Sequence, residues 1–225
     1  MRTPLAALAL AALLTTAAQA QTHGHHHGPP MGAHGAHPSS LGPAGSTYDL
    51  RWLDAMVQHH TGALRMSEAV FNGGSAGVGA LARSIWNDQA QEIKAMGQWR
   101  RAWYPTAPLY PVVLRSDGDP NSLAGLERMD GERMAAMRMT SAEANGPDRI
   151  TTFLEGMLAH HGGALQMAHD ALAKSHNPTI RRLARQIIAT QRGEILSLRR
   201  MLRHDGLNKP EYYAYDPLFS WHWRG

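Results

Sequence analysis

The feature that most constrains this chain is an internal duplication of two blocks in the same order. Residues 49–70 read DLRWLDAMVQHHTGALRMSEAV, and residues 150–171 read ITTFLEGMLAHHGGALQMAHDA. Met56, His59, His60, Gly62, Ala63, Leu64 and Met66 recur 101 positions later as Met157, His160, His161, Gly163, Ala164, Leu165 and Met167. Leu53 matches Leu154, and aromatic Trp52 matches Phe153. A second pair, LARSIWNDQAQEIKAM at 81–96 and LARQIIATQRGEILSL at 183–198, follows at a spacing of 102 (Leu81 to Leu183). A chain built this way must fold as two copies of one unit.

Each block has the period of a helix. Trp52, Met56, His59, Ala63, Met66 and Val70 recur at three- and four-residue steps and share one face. Arg51, Asp54, Gln58, Arg65 and Glu68 fall opposite and are expected at the surface. In the second block Leu81, Ile85, Gln89, Glu92, Met96, Trp99 and Trp103 form the inward stripe. The glycine-rich run 72–79 and the Ser175-His176-Asn177-Pro178 run are turn sequences, so each half is a helical hairpin. Two hairpins with short internal loops predict an all-α four-helix bundle. Hairpins are expected at 48–104 and 140–207, forming one domain. Between them a crossover with Pro105, Pro108, Pro111 and Pro120 leads into an expected extra helix from Leu123 to about Met139, carrying Met129, Met134, Met137 and Met139. The aromatic tail 208–225 is expected to dock back as irregular structure.

The N-terminal 47 residues do not belong to the hairpins. Residues 1–20, with Arg2, an apolar run from Leu5 to Leu14 and Ala18-Gln19-Ala20, have the layout of a cleaved export signal. A bacterial periplasmic or secreted protein is expected, with no membrane span after cleavage. Residues 21–47 hold His23, His25, His26, His27, His34 and His37 among Gly and Pro, too little apolar surface for a core, and are expected to be disordered. Flexible imidazoles of this kind can wrap Cu(II), Ni(II) or Zn(II).

The same chemistry recurs inside the repeats. The 225 residues include 14 His and 12 Met but no Cys, which excludes thiolate metal sites, disulfides and cysteine nucleophiles. A net charge of +4 without a basic run gives no reason to expect nucleic-acid binding. In each half the inward stripe carries Met-x-x-His-His and, seven residues past the first His, a second Met. Gln89 and Glu92, like Gln191 and Glu194, interrupt apolar stripes on the partner helices. A buried carboxylate must meet a cation, a His or a metal. Di-iron bundles place Glu-x-x-His motifs in this way, but here Met stands where Glu would be. Thioether with imidazole suits Cu(I), and tolerates Cu(II), better than it suits hard ferric iron. Arg83 and Arg185, repeated between the hairpins, are expected to form structural ion pairs.

The M-x-x-H-H-x-G-A-x-x-M blocks, each followed by L-A-R-x-I-x-x-x-Q-x-x-E-I, resemble the family called domain of unknown function 305. The likeness covers about 48–104 and 140–205. It implies a ferritin-like four-helix bundle, usually exported, with members linked to copper binding and copper tolerance. By position the implied ligands are Met56, His59, His60 and Met66 with Met157, His160, His161 and Met167. The family's opening Asp, seven residues before the Met, is Asp49 in the first half, while the second half has Ile150 there.

The expectation is therefore a non-catalytic, exported copper-binding protein, Cu(I) favoured, that sequesters copper or passes it on. Its candidate donors are these eight residues with Glu92 and Glu194. Metal ions are the expected partners, and a copper transporter or chaperone is the candidate protein partner. Two other readings stand beside it. One is a ferritin-like metal oxidase in which Glu92 and Glu194 hold iron or copper; the other is a structural bundle whose core histidines are satisfied by packing.

Overall fold

The computed structural model describes residues 41–73, 76–107, 110–140 and 148–220. The expected export signal, the histidines at 23–37, residues 141–147 at the start of the expected second hairpin and the last five of the tail lie outside them. Five α-helices lie among the described residues: α1 (Tyr48–Glu68), α2 (Ala76–Trp103), α3 (Gly131–Arg138), α4 (Arg149–Lys174) and α5 (Pro178–His204). The α4–α5 turn is written into the sequence. Asn177 accepts a hydrogen bond from the Thr179 amide at 2.9 Å, and Pro178 starts α5 where no amide donor is needed.

Helices α1 and α4 form the inner pair, with α2 packed on α1 and α5 on α4. The inner pair is antiparallel. Tyr48 donates its hydroxyl to Asp170 at 2.7 Å, Trp52 Nε1 donates to the Met167 carbonyl at 2.9 Å, and farther along His59 meets His160. His59 and His160 are equivalent in the repeat, so the pseudo-twofold axis of the bundle passes between them. Two core clusters follow from that axis. Trp52, Met56 and Met167 lie in one, and their repeat equivalents Phe153, Met157 and Met66 lie in the other.

The back of α1 is not a surface. Arg51 and Asp54 are at most 1% exposed and Gln58 is 5% exposed, whereas Arg65 and Glu68 are exposed as expected. The crossover and the residues before α1 cover that face, and each buried polar group has partners there. The Arg51 guanidinium donates to the carbonyls of Leu41, Pro43 and Thr47. Asp54 pairs with Arg100 Nε at 2.6 Å and accepts from the Val112 amide at 2.9 Å. Gln58 joins Tyr110 and Arg138. Residues 41–47, expected to be unstructured, are therefore part of the body: Leu41 is in the core, and Lys174 Nζ also donates to the Gly42 carbonyl at 3.0 Å.

The crossover departs from the expected long helix. Leu123–Gly125 is a single tight turn, and Leu126–Arg128 is a strand, β2, paired antiparallel with β1 (Val112–Leu114). Met129 continues this ribbon, donating its amide to the Pro111 carbonyl at 2.7 Å. Helix α3 begins only after Asp130, whose carboxylate caps the Arg133 amide at 2.7 Å. Local cap and ribbon pairing outcompete the weak helical period of 123–130. Arg83 and Arg185 also differ from expectation, since neither forms an ion pair among the described residues. Arg83 donates instead to the Phe71 carbonyl at 2.6 Å.

The two halves are covered by different segments. The end of α3 presses on Gly62, where an added Cβ would stand 1.8 Å from the Arg138 carbonyl oxygen. The tail presses on Gly162, where a Cβ would stand 2.2 Å from the Tyr215 ring. That tail is anchored by Tyr212 and Lys209 on Glu155, the repeat equivalent of Asp54, and by Arg199 on Asp216. Gly62→Ala should therefore lower stability by about 1–3 kcal/mol through overpacking. Gly193→Ala, in open space in α5, should raise it by about 0.5–1 kcal/mol. Denaturant unfolding of both variants checks the contrast, and equal effects would contradict the close approach of α3.

Candidate metal centre

At the crossing of α1 and α4 four imidazoles form a row. The ring centroids are 6.3 Å apart for His60–His59, 3.8 Å for His59–His160 and 6.2 Å for His160–His161. All four side chains are buried. The row follows from local geometry. Adjacent residues on a helix point about 100° apart, so the first His of each pair meets the axis while the second turns toward its own hairpin partner. There His60 Nε2 donates to Glu92 at 2.7 Å and His161 Nε2 donates to Glu194 at 2.7 Å. His160 Nε2 donates to the His59 carbonyl at 2.9 Å.

These bonds decide what the other ring nitrogens can do. With hydrogen on Nε2, a neutral imidazole keeps a lone pair on Nδ1. The Nδ1 atoms of His60, His160 and His161 are buried and have no hydrogen-bond partner among the described residues. The Arg138 carbonyl approaches His160 without completing a bond to Nδ1. Burial holds the His160 pKa well below the usual imidazole value, with the neighbouring His161 adding to the effect, so His160 stays neutral. A buried polar atom without a partner costs about 1–3 kcal/mol, and three in one small core make an unusual concentration of that cost. A carboxylate fixing one ring nitrogen while the other is left open is the outer-shell arrangement of metal-binding histidines.

The methionines divide between the two ends of the row. Met56 and Met167 lie in one core cluster, together with Met96, Met129 and Met137, whereas Met66 and Met157 lie in the other. The candidate residues therefore surround one axis as two related sets, each drawing one Met from each repeat, rather than a single point of convergence. Among the described residues no three His, Asp or Glu side chains gather as a metal site. The donor set that fits a metal here is imidazole with thioether, a soft to borderline combination.

Two features were not legible as part of the site. Gln89 and Gln191 stand out in the sequence only as polar interruptions. They are 2% and 3% exposed, and both amide atoms of Gln89 and the oxygen of Gln191 are unpartnered among the described residues. Asp88 carries no signal at all, because the second repeat has Thr190 in its place. Its carboxyl is pushed up, first by desolvation and then by the charges of Glu194 and Glu92.

The family model described as "Domain of unknown function (DUF305)" matches residues 6–100 and 49–202, two overlapping placements that a duplicated chain allows. The chain belongs to this family. Comparison with curated protein sequences finds no match. Among solved structures, CopM in the Cu(II)-bound form is 25% identical over 69% of this chain and 96% of that one, with a TM-score of 0.53. CopM in the Cu(I)-bound form is also 25% identical with the same coverage, at a TM-score of 0.51. A DUF305 fragment from Deinococcus radiodurans is 24% identical over 72% of this chain and 99% of that one, with a TM-score of 0.50, and shares the fold. No helix among the described residues is long and apolar enough to cross a membrane.

The hydrogen-bond pattern sets an expectation for solution spectra. In long-range nitrogen–proton NMR correlations of the metal-free protein, His60, His160 and His161 should each show the tautomer protonated on Nε2. The opposite tautomer at His60 and His161 would mean that Glu92 and Glu194 do not orient them as described.

Proposed function

We propose that this chain is an exported copper-binding protein that takes up Cu(I) through imidazole Nδ1 and thioether donors around the α1–α4 crossing. The observation that carries the reading is the pair of buried, unpartnered Nδ1 atoms on His60 and His161, each set by a glutamate on Nε2. The copper-bound CopM structures, similar in fold and 25% identical, support copper as the metal. Met56 with Met167 would serve one half-site and Met157 with Met66 the other, with His59 and His160 between them. Glu92 and Glu194 act on this reading by orienting His60 and His161 and balancing metal charge, rather than by ligation. That use of both carboxylates weighs against a di-iron-type oxidase, which needs them on the metal.

Donors held on rigid helices favour binding, and the absence of thiolate keeps the ions exchangeable. Such a centre suits sequestration or transfer, with a copper transporter or chaperone as the protein partner. The sequence pattern of residues 1–20 supports a periplasmic location, and the histidines at 23–37 would capture Cu(II) weakly before it reaches the body.

The test is a competition titration of metal-free protein with Cu(I) against a chromophoric Cu(I) chelator. Leu for Met conserves volume and costs less than about 1.5 kcal/mol in stability. Met56→Leu with Met167→Leu should weaken one half-site at least about tenfold, or about 1.4 kcal/mol, and leave the other. Met66→Leu with Met157→Leu should do the converse. Unchanged affinity in both double variants would end the copper reading and leave the methionines as core packing.

The anchoring of residues 41–47 separates two deletions. Removing residues 21–40 should abolish only weak Cu(II) binding and leave the thermal midpoint and Cu(I) affinity in place. Removing 21–47 should also lower the thermal midpoint, since Leu41 and the carbonyls held by Arg51 and Lys174 would be lost. Equal midpoints in calorimetry of the two deletions would show that the anchoring contributes nothing.

A further inference from the structure

The first hairpin holds a cavity of about 510 Å³ between α1, α2 and Tyr110 of the crossover. That volume is within the range of small-molecule sites. Leu53 and Val57 of α1, with Ile93 and Met96 of α2, give it an apolar wall. Lys94, Gly97 and Arg101 follow at three- and four-residue steps, so they share one face of α2 with the glycine between the two cations. Beyond the helix's own backbone and the chain neighbours, a Cβ on Gly97 would meet only the Arg101 guanidinium, at 3.6 Å. Arg101 thus reaches back along α2 beside open space. The charge around the cavity is one-sided. Asp54 is the one acid among its lining residues, and both of its carboxylate oxygens are taken, by Arg100 Nε at 2.6 Å and by the Val112 amide at 2.9 Å. Lys94 and Arg101 are exposed and form no ion pair among the described residues. The exposed Tyr110 adds a ring to the rim, with the Arg100 guanidinium 5.3 Å from its centroid.

The other repeat shows what such a place accepts. At the spacing of 102, Gly97 corresponds to Arg199, and Lys94 and Arg100 correspond to Leu196 and Leu202. Arg199 is buried under the C-terminal tail. It pairs with Asp216 and lies 4.6 Å from the Tyr213 ring centroid and 5.3 Å from that of Phe219. The tail therefore sets a carboxylate and aromatic rings against α5 at the position where α2 has a glycine and a cavity. We propose that this cavity binds a small aromatic carboxylate, its charge held by Arg101 and Lys94 and its ring lying over Gly97. A carboxylate supplies the negative charge that the lining residues lack, and its two oxygens match the fork of a guanidinium. The ring would bury apolar area against Ile93 and Met96 and pack beside Tyr110. None of these residues is among the candidate metal donors, so the site stands apart from copper binding.

The test titrates naphthoate into the metal-free full chain and follows side-chain methyl resonances by NMR. Shifts should centre on Leu53, Val57, Ile93 and Met96. Naphthylmethanol, the neutral analogue, should bind at least about fivefold more weakly, and added salt should narrow that difference. Gly97→Leu places a side chain in the gap, so it should abolish binding. Its thermal midpoint should equal or exceed the parent's, because glycine inside a helix is unfavourable. Lys94→Gln with Arg101→Gln should bring naphthoate affinity down to that of the alcohol. Arg65→Gln, which removes an exposed cation two turns farther along α1, should leave the affinity unchanged. Shifts missing from the four methyl-bearing residues, or spread evenly over the surface, would overturn the proposal. Equal affinity of acid and alcohol for the parent would do the same, as would parent-like naphthoate affinity in the charge variant. If Gly97→Leu does not fold, the charge variant decides alone, since its two residues have no ion pair to lose.

Discussion

The contact between His59 and His160 organises the molecule. It joins equivalent residues of the two repeats, so the core around Trp52, Met56 and Met167 has its counterpart in the core around Phe153, Met157 and Met66. The hydrogen bond from His160 Nε2 to the His59 carbonyl fixes the sliding register of α1 against α4. That register puts Trp52 beside the Met167 backbone and Tyr48 beside Asp170. It also faces two imidazoles across 3.8 Å, a packing open to neutral rings and costly for two cations in a desolvated core. Burial at the crossing thus keeps the His160 imidazole neutral.

Around that crossing the bundle hides an unusual amount of polarity for an inner helix. Its solution is to give each buried charge on α1 a partner from outside the repeat. Asp54 holds Arg100 and the start of the ribbon, Arg51 gathers carbonyls from the residues before α1, and Gln58 meets Arg138 near the end of α3. Glu155, at the position of Asp54 in the other half, performs the same service for the C-terminal tail. The non-repeated segments are therefore fastened to the bundle through equivalent positions. The polar atoms left without partners are not scattered over this framework: several sit on the imidazole row and the glutamines next to it.

Much of this was legible in the sequence because a duplication doubles every signal. The inward direction of Met56, His59, Glu92 and their counterparts needed only helical period and a repeated spacing. What period could not show was the second side of α1. Arg51, Asp54 and Gln58 look like a solvated face, since local pattern carries no information about which distant segment will cover it. The stretch 123–130 misled for a related reason: its methionines suggest a helix, whereas ribbon pairing and the Asp130 cap decide otherwise. The division of the methionines into two sets was also hidden, because it depends on the antiparallel sense of α1 and α4. Membership in one face of one helix does not reveal which end of the other helix that face will meet.

The mixed origin of those sets has a consequence for how such a protein can exist at all. Met56 shares its core with Met167, and Met66 with Met157, so one hairpin cannot assemble either set from its own residues. A chain with a single copy would have to pair with a second molecule, and its metal chemistry would rise and fall with concentration. Fusing the two copies turns that encounter into an intramolecular one. Dilution then separates nothing. Once the halves share a chain, they are also released from being identical, and the cover over each can change without the other.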